Sequence, residues 1–385
     1  MTLPELGQAV RGEWNLDPDW VTVNHGSFGA TPDVVMQEQA RWQRLMERQP
    51  SAFMHTTLPG ALRVAAAEIA GFVGAQAEDV AFVDNATSGC AAVLRSMRLA
   101  AGDEIVVLTH GYGAVRNTVA YVAERAGARM VDAVVPFPEA DDDAIVSGLK
   151  ATLTSKTRLA VIDHITSPTA LVLPVPGMIA ACHAAGVPVL VDGAHAPGHV
   201  DLDLTALDAD WYVGNCHKWL NAPKGCGFIW ARPDRQEDLH PVTISHGLGG
   251  GFLAEFDWTG TRDPSAFLAV GAAIAFHQRL GGPAMRARNA ALAGAAGVLL
   301  AERLGTESHH SPGGSMAIVR MPVVGPATRA HAQELRERLF TAKADAPLMA
   351  QDGRIWLRVS AAAYNEIGDY ERLGEIVDLA FRGNA

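Results

Sequence analysis

The 385-residue chain is long enough to bury a full core, as one large domain with a smaller companion or as two domains. With 49% hydrophobic and 19% charged residues it belongs with ordinary soluble globular proteins, not with disordered or fibrous chains. A formal net charge of −11 excludes an extended nucleic-acid surface, which needs a basic face, but leaves room for a local basic pocket that takes an anion.

The opening MTLPELGQAVRGEW carries Glu5 and lacks an apolar core, so it does not read as a signal peptide. The turn Asp84-Asn-Ala-Thr-Ser-Gly89 opens the helical stretch CAAVLRSMRLA, and free N–H groups at such a helix start form an anion site. An apolar run at Glu104–Leu108 has strand length, and an Ala-rich helix follows over Val115–Ala126. The acidic cluster Glu139–Asp143 reads as a solvated turn. A strand is expected over Thr157–Ile165. The apolar stretch Ala170–Val191 is broken by Pro174, Pro176, Gly186 and Pro188, so it reads as loop, helix (Pro176–Ala185) and strand instead of a membrane span.

The strand Pro188–Asp192 ends in the carboxylate of VLVDGAHAPG. The next strand, Trp211–Val213, leads into the polar, Gly-rich loop of WYVGNCHKWLNAPKGCGFIW, and Gly227–Ala231 returns. Short runs buried on both faces and separated by helices specify an α/β domain with a mostly parallel sheet. In such sheets ligands collect outside the carboxyl ends of the strands. A carboxylate there can pair with a pyridine nitrogen, and a lysine there can condense with an aldehyde. Lys218 follows Asp192 by 26 residues, enough for one helical crossover. A strand-end Asp, an exposed Lys and an NATSG turn are each commonplace alone. Their occurrence together, in this order in one unit, points to pyridoxal 5′-phosphate (PLP). The rival dinucleotide loop fails, because His246–Phe252 places Phe252 where GxGxxG needs glycine.

Past Pro264 the texture changes to helices at Ala266–Leu280 and Pro283–Leu304, a strand-like MAIVRMP, a helix at Arg329–Phe340 and a strand-like RIWLRVS. This succession suits a small α+β domain. Cys90, Cys182, Cys216 and Cys226 form no CxxC and no metal-site spacing, so no metal is expected. Cys216 and Cys226 read as packing residues. The default location is the reducing cytoplasm.

The motifs NHGSFGATP, NATSG, HGYGAVRNT, VDGAHAPG, NCHKWLNAPKG, WTGTRDPSA and LRVSAAAYN run in order from Asn24 to Asn365. Together they resemble the class V aminotransferase family of fold-type I PLP enzymes, in its isopenicillin N epimerase-like branch. The resemblance implies a segment 1–30 at the substrate entrance, a PLP-binding domain over 31–264 and a small domain over 265–385. It implies that Lys218 holds PLP as a Schiff base, that Asp192 pairs with the ring nitrogen and that His195 sits near the ring and its phenolate oxygen. Ala86, Thr87 and Asn215 would serve the phosphate, His217 would flank the lysine, and Tyr112, with His110 close by, would cover the ring. Ser167 or Thr166 would meet the phenolate side. Gly260 and Thr261 would reach the partner subunit's phosphate, which implies a homodimer with shared sites. Arg358 would grip the carboxylate of an amino-acid substrate, and Asn24 and His25 would line its entrance.

Chemistry at Cα can then end in epimerisation, β-elimination or transamination. No cysteine follows Cys226, which disfavours persulfide transfer. Epimerisation needs a proton donor opposite Lys218, for which Tyr112, His25, His110 and Lys224 have suitable side chains. The sequence reading favours an epimerase-like enzyme over a C–S lyase by a modest margin, and over a non-catalytic binding protein because the catalytic set is intact.

Overall fold

The structure, a computed structural model, describes residues 4–138 and 141–381. Its centre is a seven-stranded sheet of β2 (Val80–Val83), β3 (Glu104–Leu108), β4 (Arg129–Ala133), β5 (Thr157–Asp163), β6 (Val189–Gly193), β7 (Trp211–Asn215) and β8 (Gly227–Ala231). The spatial order is β2-β8-β7-β6-β5-β3-β4. Only β8 runs against its neighbours. The mostly parallel sheet read from the sequence is present. β2 and β4 were not anticipated: β2 is only four residues long, and β4 is mostly not buried, so its apolar signal is weak.

Side-chain alternation explains how the sheet holds a core on each face. Val80, Phe82, Ala160, Ile162, Val189 and Val191 join one cluster with helices α2 (Leu58–Val73), α6 (Val175–Ala184) and α7 (Val270–Arg279). The alternate residues Ala81, Val83, Leu159, Val161, Leu190, Trp211 and Val213 join another with α3 (Ala86–Ser96) and α4 (Gly113–Ala126). Continuing the alternation one step puts Asp163, Asp192 and Asn215, at three adjacent strand ends, on the α3 side.

Several expected elements differ in detail. The strand expected to reach Ile165 stops at Asp163. The β6–β7 crossover contains a helix of only four residues, Leu204–Leu207, in a mainly irregular path. The helix expected over Ala266–Leu280 is two, Ser265–Leu268 and α7. Of the acidic cluster, Glu139 lies outside the described residues, whereas Asp142 and Asp143 open α5 (Asp142–Thr152), where carboxylates complement the N-terminal dipole.

A second, antiparallel sheet, ordered β12-β13-β10-β9, comprises β9 (Ser308–His310), β10 (Met316–Arg320), β12 (Leu348–Gln351) and β13 (Arg354–Ser360). It packs with α8 (Pro283–Leu304), α9 (Arg329–Thr341) and α10 (Ile367–Phe381). The N-terminal strand β1 (Val21–Thr22) pairs with β11 (Ala344–Asp345), so the N-terminal segment is anchored in this smaller unit. Residues Ala266–Met285 belong to the larger core, so dividing the chain at residue 264 leaves α7 packed across that boundary.

Candidate active site

A cavity of about 520 Å³ opens at the carboxyl ends of β5, β6 and β7. Its walls include Ser27, Phe28, Thr87, Tyr112, Asp163, Ser167, Asp192, His195, Asn215, His217 and Lys218. The sheet supplies Asp163, Asp192 and Asn215, α3 supplies the opposite rim, and the loop after β7 carries Lys218.

Lys218 is buried, and burial together with the nearby Arg358 guanidinium lowers its pKa to about 7, with Asp192 opposing. Its Nζ lies 3.0 Å from Nε2 of His195. The Trp219 indole N–H donates to His195 Nδ1 at 3.4 Å, which leaves the ring proton on Nε2, facing the lysine. Burial, reinforced by the positive charge of Lys218, holds His195 neutral, with its pKa well below the usual value. The pair is thus a neutral imidazole donating to an amine that is about half unprotonated at pH 7 and largely so by pH 8. Such an amine is a nucleophile.

Asp192 accepts the Ala194 N–H at 3.0 Å, and its pKa is raised by burial, against the opposing pull of that N–H and of Lys218. At the other rim, Asn85 caps α3 by accepting the Ser88 N–H at 2.9 Å. Asn215 Oδ1 accepts the Ala86 N–H at 2.8 Å, so that amide is already engaged. The Thr87 amide and hydroxyl have no hydrogen-bond partner among the described residues and line the cavity. Ser167 lines the cavity, whereas Thr166 turns inward to Thr169 and the Leu171 N–H. Tyr112 is a half-exposed wall residue.

Other expected residues lie elsewhere. His25 is buried behind the lysine, with one ring nitrogen 3.0 Å from the Tyr364 hydroxyl and the other 3.1 Å from the Lys218 carbonyl. His110 is engaged by Thr169 and Gln351 on its two nitrogens. Lys224 donates to Thr31 on a separate cavity. Asn24 does not line the cavity; it accepts from Arg358 at 3.2 Å and donates to Asp345 at 3.0 Å. Arg358 is buried immediately behind the wall, donating to the Ser167 carbonyl and, at 2.8 Å, to the Ser27 hydroxyl, while its Nε has no hydrogen-bond partner among the described residues. Gly260 and Thr261 are outside the cavity on a surface loop tied by Arg262 to Asp84 at 3.0 Å.

The wall residues missed include Ser27, Phe28 and Asp163. Ser27 and Phe28 lie on the short turn His25–Phe28, inside the NHGSFGATP motif, where the expectation fell on Asn24 and His25 instead. Asp163 had a local signal: VID and VLVD are parallel apolar runs ending in Asp. The overlong strand expectation hid it as an interior position.

PLP fits these residues. A helix N-terminus with a free amide suits its phosphate, a buried carboxylate its ring nitrogen, and a buried low-pKa amine its aldehyde. The fold and this cavity define a fold-type I PLP-dependent enzyme. The family model described as Aminotransferase class-V matches residues 31–369, and the chain belongs to that family. A rice (Oryza sativa subsp. japonica) protein provisionally named L-cysteine desulfhydrase 1 is 37% identical, the match covering 92% of this chain and 82% of that protein. The isopenicillin N epimerase of Streptomyces clavuligerus is 32% identical over 96% of this chain and 97% of its own. A solved structure of the cystine C–S lyase C-DES with cysteine persulfide superposes with a TM-score of 0.79 at 22% identity, covering 94% of this chain and 98% of that one, and shows the shared fold. Among the described residues, no helix is long and apolar enough to cross a membrane.

Proposed function

We propose that the protein is a PLP-dependent C–S lyase that eliminates the β-sulfur of cysteine or an S-substituted cysteine. The observation that carries this reading is that, among the described residues, Lys218 is the single amine lining the cavity. Of the four side chains of suitable type to donate a proton opposite Lys218, only Tyr112 is in the wall. His25 and His110 are hydrogen-bonded inside the protein, and Lys224 faces another cavity. Elimination needs one group to take the Cα proton and return it to the departing sulfur; epimerisation needs two groups on opposite faces. The identity with desulfhydrase-named plant relatives supports the same reading.

Bound PLP supplies an electron-accepting ring for the negative charge that develops at Cα. Lys218 would anchor it and then move the Cα proton. Asp192 would face the ring nitrogen, while Thr87 and Asn215 Nδ2 would hold the phosphate, with Ala86 stabilised by Asn215. His195 and Ser167 would meet the phenolate side, and Tyr112 would cover the ring, with His217 flanking the lysine. Arg358 would hold the substrate carboxylate if Ser27 yields its place on the fork. The Cα–H pair moves inward, the Cβ–S bond breaks with its electrons leaving on sulfur, and the proton goes to that sulfur. The aminoacrylate released hydrolyses to pyruvate and ammonia.

Epimerisation is the second reading, favoured by the end-to-end match with isopenicillin N epimerases and by the Tyr112 hydroxyl as the opposing acid. Gly260 and Thr261 on a surface loop suit a homodimer in which each completes its partner's phosphate site, and four buried free thiols suit a reducing cytoplasm. Incubation with L-cysteine, S-substituted cysteines and other L-amino acids in D₂O tests the function. Pyruvate with sulfide or thiol release is expected. Cα deuteration with inversion and no pyruvate overturns the lyase reading in favour of the epimerase, and keto acid formed with pyridoxamine phosphate overturns both.

A further inference from the structure

The cavity floor holds a carboxyl group that the roles above do not use. β5 and β6 are parallel neighbours in register, and Asp163 is paired with Asp192. Register partners present their side chains on one face, and neighbouring strands lie about 4.8 Å apart. Both aspartates are 4% exposed, and both line the same cavity.

Two carboxylates this close and this buried cannot both stay anionic without compensating cations. The surroundings supply too few. From α4, Arg116 is the cation on the Asp163 side, yet it donates to the Leu108 carbonyl at 2.8 Å and to Asp132 at 2.6 Å. From the β7 loop, Lys218 is the cation on the Asp192 side, and it is about half neutral at pH 7 and largely neutral by pH 8. α3 contributes the buried Cys90 thiol, held protonated by burial and by both carboxylates, and β7 the Tyr212 phenol, held protonated by burial and by Asp192. His164 of the same segment as Asp163 is a neutral imidazole bonded to Tyr212 at 2.8 Å. Backbone N–H groups remain: Ala194 donates to Asp192, and the amides of Tyr112 and of Asp163 itself lie on the side of the Asp163 carboxylate. The close approach of Gly111 to an Asp163 carboxylate oxygen sets Asp163 against the loop that carries Tyr112.

We propose that Asp163 and Asp192 act as one acid–carboxylate pair that holds a single proton, carried on Asp163, and presents one negative charge to the ring nitrogen of PLP. The inference rests on the PLP reading of the cavity. Asp163 is then a positioning residue acting through Asp192: its O–H donates to that carboxylate, moderating its basicity, while its other oxygen holds the Tyr112 loop. Burial and the neighbouring Asp192 both push the Asp163 carboxyl well above the usual range, in keeping with a protonated acid at neutral pH.

Asp163→Asn keeps the shape, the neutrality and a donor toward Asp192, so it should bind PLP within about threefold of wild type and keep the wild-type pH titration of the bound chromophore. Asp163→Leu removes the donor and should shift that titration. Infrared spectra of holoenzyme labelled with carboxyl-¹³C aspartate provide a readout independent of activity. They should show an isotope-shifted protonated-carboxyl band that persists at pH 8 and is lost in Asp163→Asn. The inference is overturned if wild type, loaded with PLP, lacks that band, or if Asp163→Asn folds and loses PLP affinity tenfold or more. A wild-type chain that takes up no PLP overturns the cofactor reading itself, and this inference with it.

Discussion

Nε2 of His195 stands 3.0 Å from Nζ of Lys218, and the Trp219 indole fixes which of the two groups donates. Because Trp219 occupies Nδ1, the imidazole gives its proton toward the lysine and the lysine nitrogen keeps its lone pair. That arrangement has a direct pH consequence. The pKa of Lys218 is lowered from 10.5 to about 7, chiefly by burial, so its neutral fraction rises as pH rises through about 7. The initial rate at which the apoprotein takes up PLP should follow this fraction, about tenfold slower at pH 6 than at pH 8 and level above that. Stopped-flow absorbance would measure it. A rate still climbing steeply at pH 10 would show that the amine titrates like an exposed lysine.

Thr87 offers an unengaged amide and a hydroxyl at the start of α3, whereas the Ala86 amide is bonded to Asn215. A hydrogen bond to a charged group is worth about 1.5–3 kcal/mol. Thr87→Ala should therefore weaken PLP binding roughly ten- to a hundredfold, while Ala86→Ser should change it little. Equilibrium dialysis of the two variants against PLP gives the comparison.

Arg358 divides its fork among Ser27, Asn24 and the Ser167 carbonyl. A lysine is a point charge and cannot span these acceptors or meet a carboxylate with two parallel bonds. Arg358→Lys should raise KM for an amino-acid substrate and lower kcat/KM by about a hundredfold, with PLP affinity nearly unchanged. A matching loss of PLP would place the arginine in the cofactor site instead.

Gly29 ties the N-terminal segment to the lysine loop. Its φ is +68°, and a Cβ there would come within 2.1 Å of the His217 carbonyl and 2.9 Å of the Lys218 Cα. Positive φ and overpacking against backbone both penalise a side chain, so Gly29→Ala should cost about 2–5 kcal/mol of stability. Chemical denaturation monitored by tryptophan fluorescence provides the test, and a loss below 1 kcal/mol would mean that the loop yields easily.

Much of the large domain was legible because parallel strands covered on both sides read as uninterrupted apolar runs, as in VVL, AVID and VLVD. The strand ends were less so. Extending β5 to Ile165 placed Asp163 inside a strand and hid it, and ending β7 at Val213 hid the alternation that turns Asn215 toward α3. The NHGSFGATP motif marks the segment but not that Ser27 and Phe28, rather than Asn24 and His25, are its wall residues. They reach the cavity because β1 pairs with β11, more than three hundred residues later in the chain, and brings the N-terminal turn beside Arg358.

The sequence by itself determined the α/β class, the strand-end position of Asp192, the place of Lys218 in the loop that follows the next strand, and a helix opening out of Asp84–Gly89, because uninterrupted apolar runs, capping and turn chemistry are written in neighbouring residues. Only the tertiary structure decided which of the candidate groups share the cavity. His25 and His110 have the right chemistry, yet their nitrogens are spent on Tyr364, the Lys218 carbonyl, Thr169 and Gln351. Asp163 drew no notice until the register of β5 against β6 set it beside Asp192. The physical reason is that a side chain's role depends on its burial, partners and nearby charges, and those are set by strand register and packing between residues far apart in the chain.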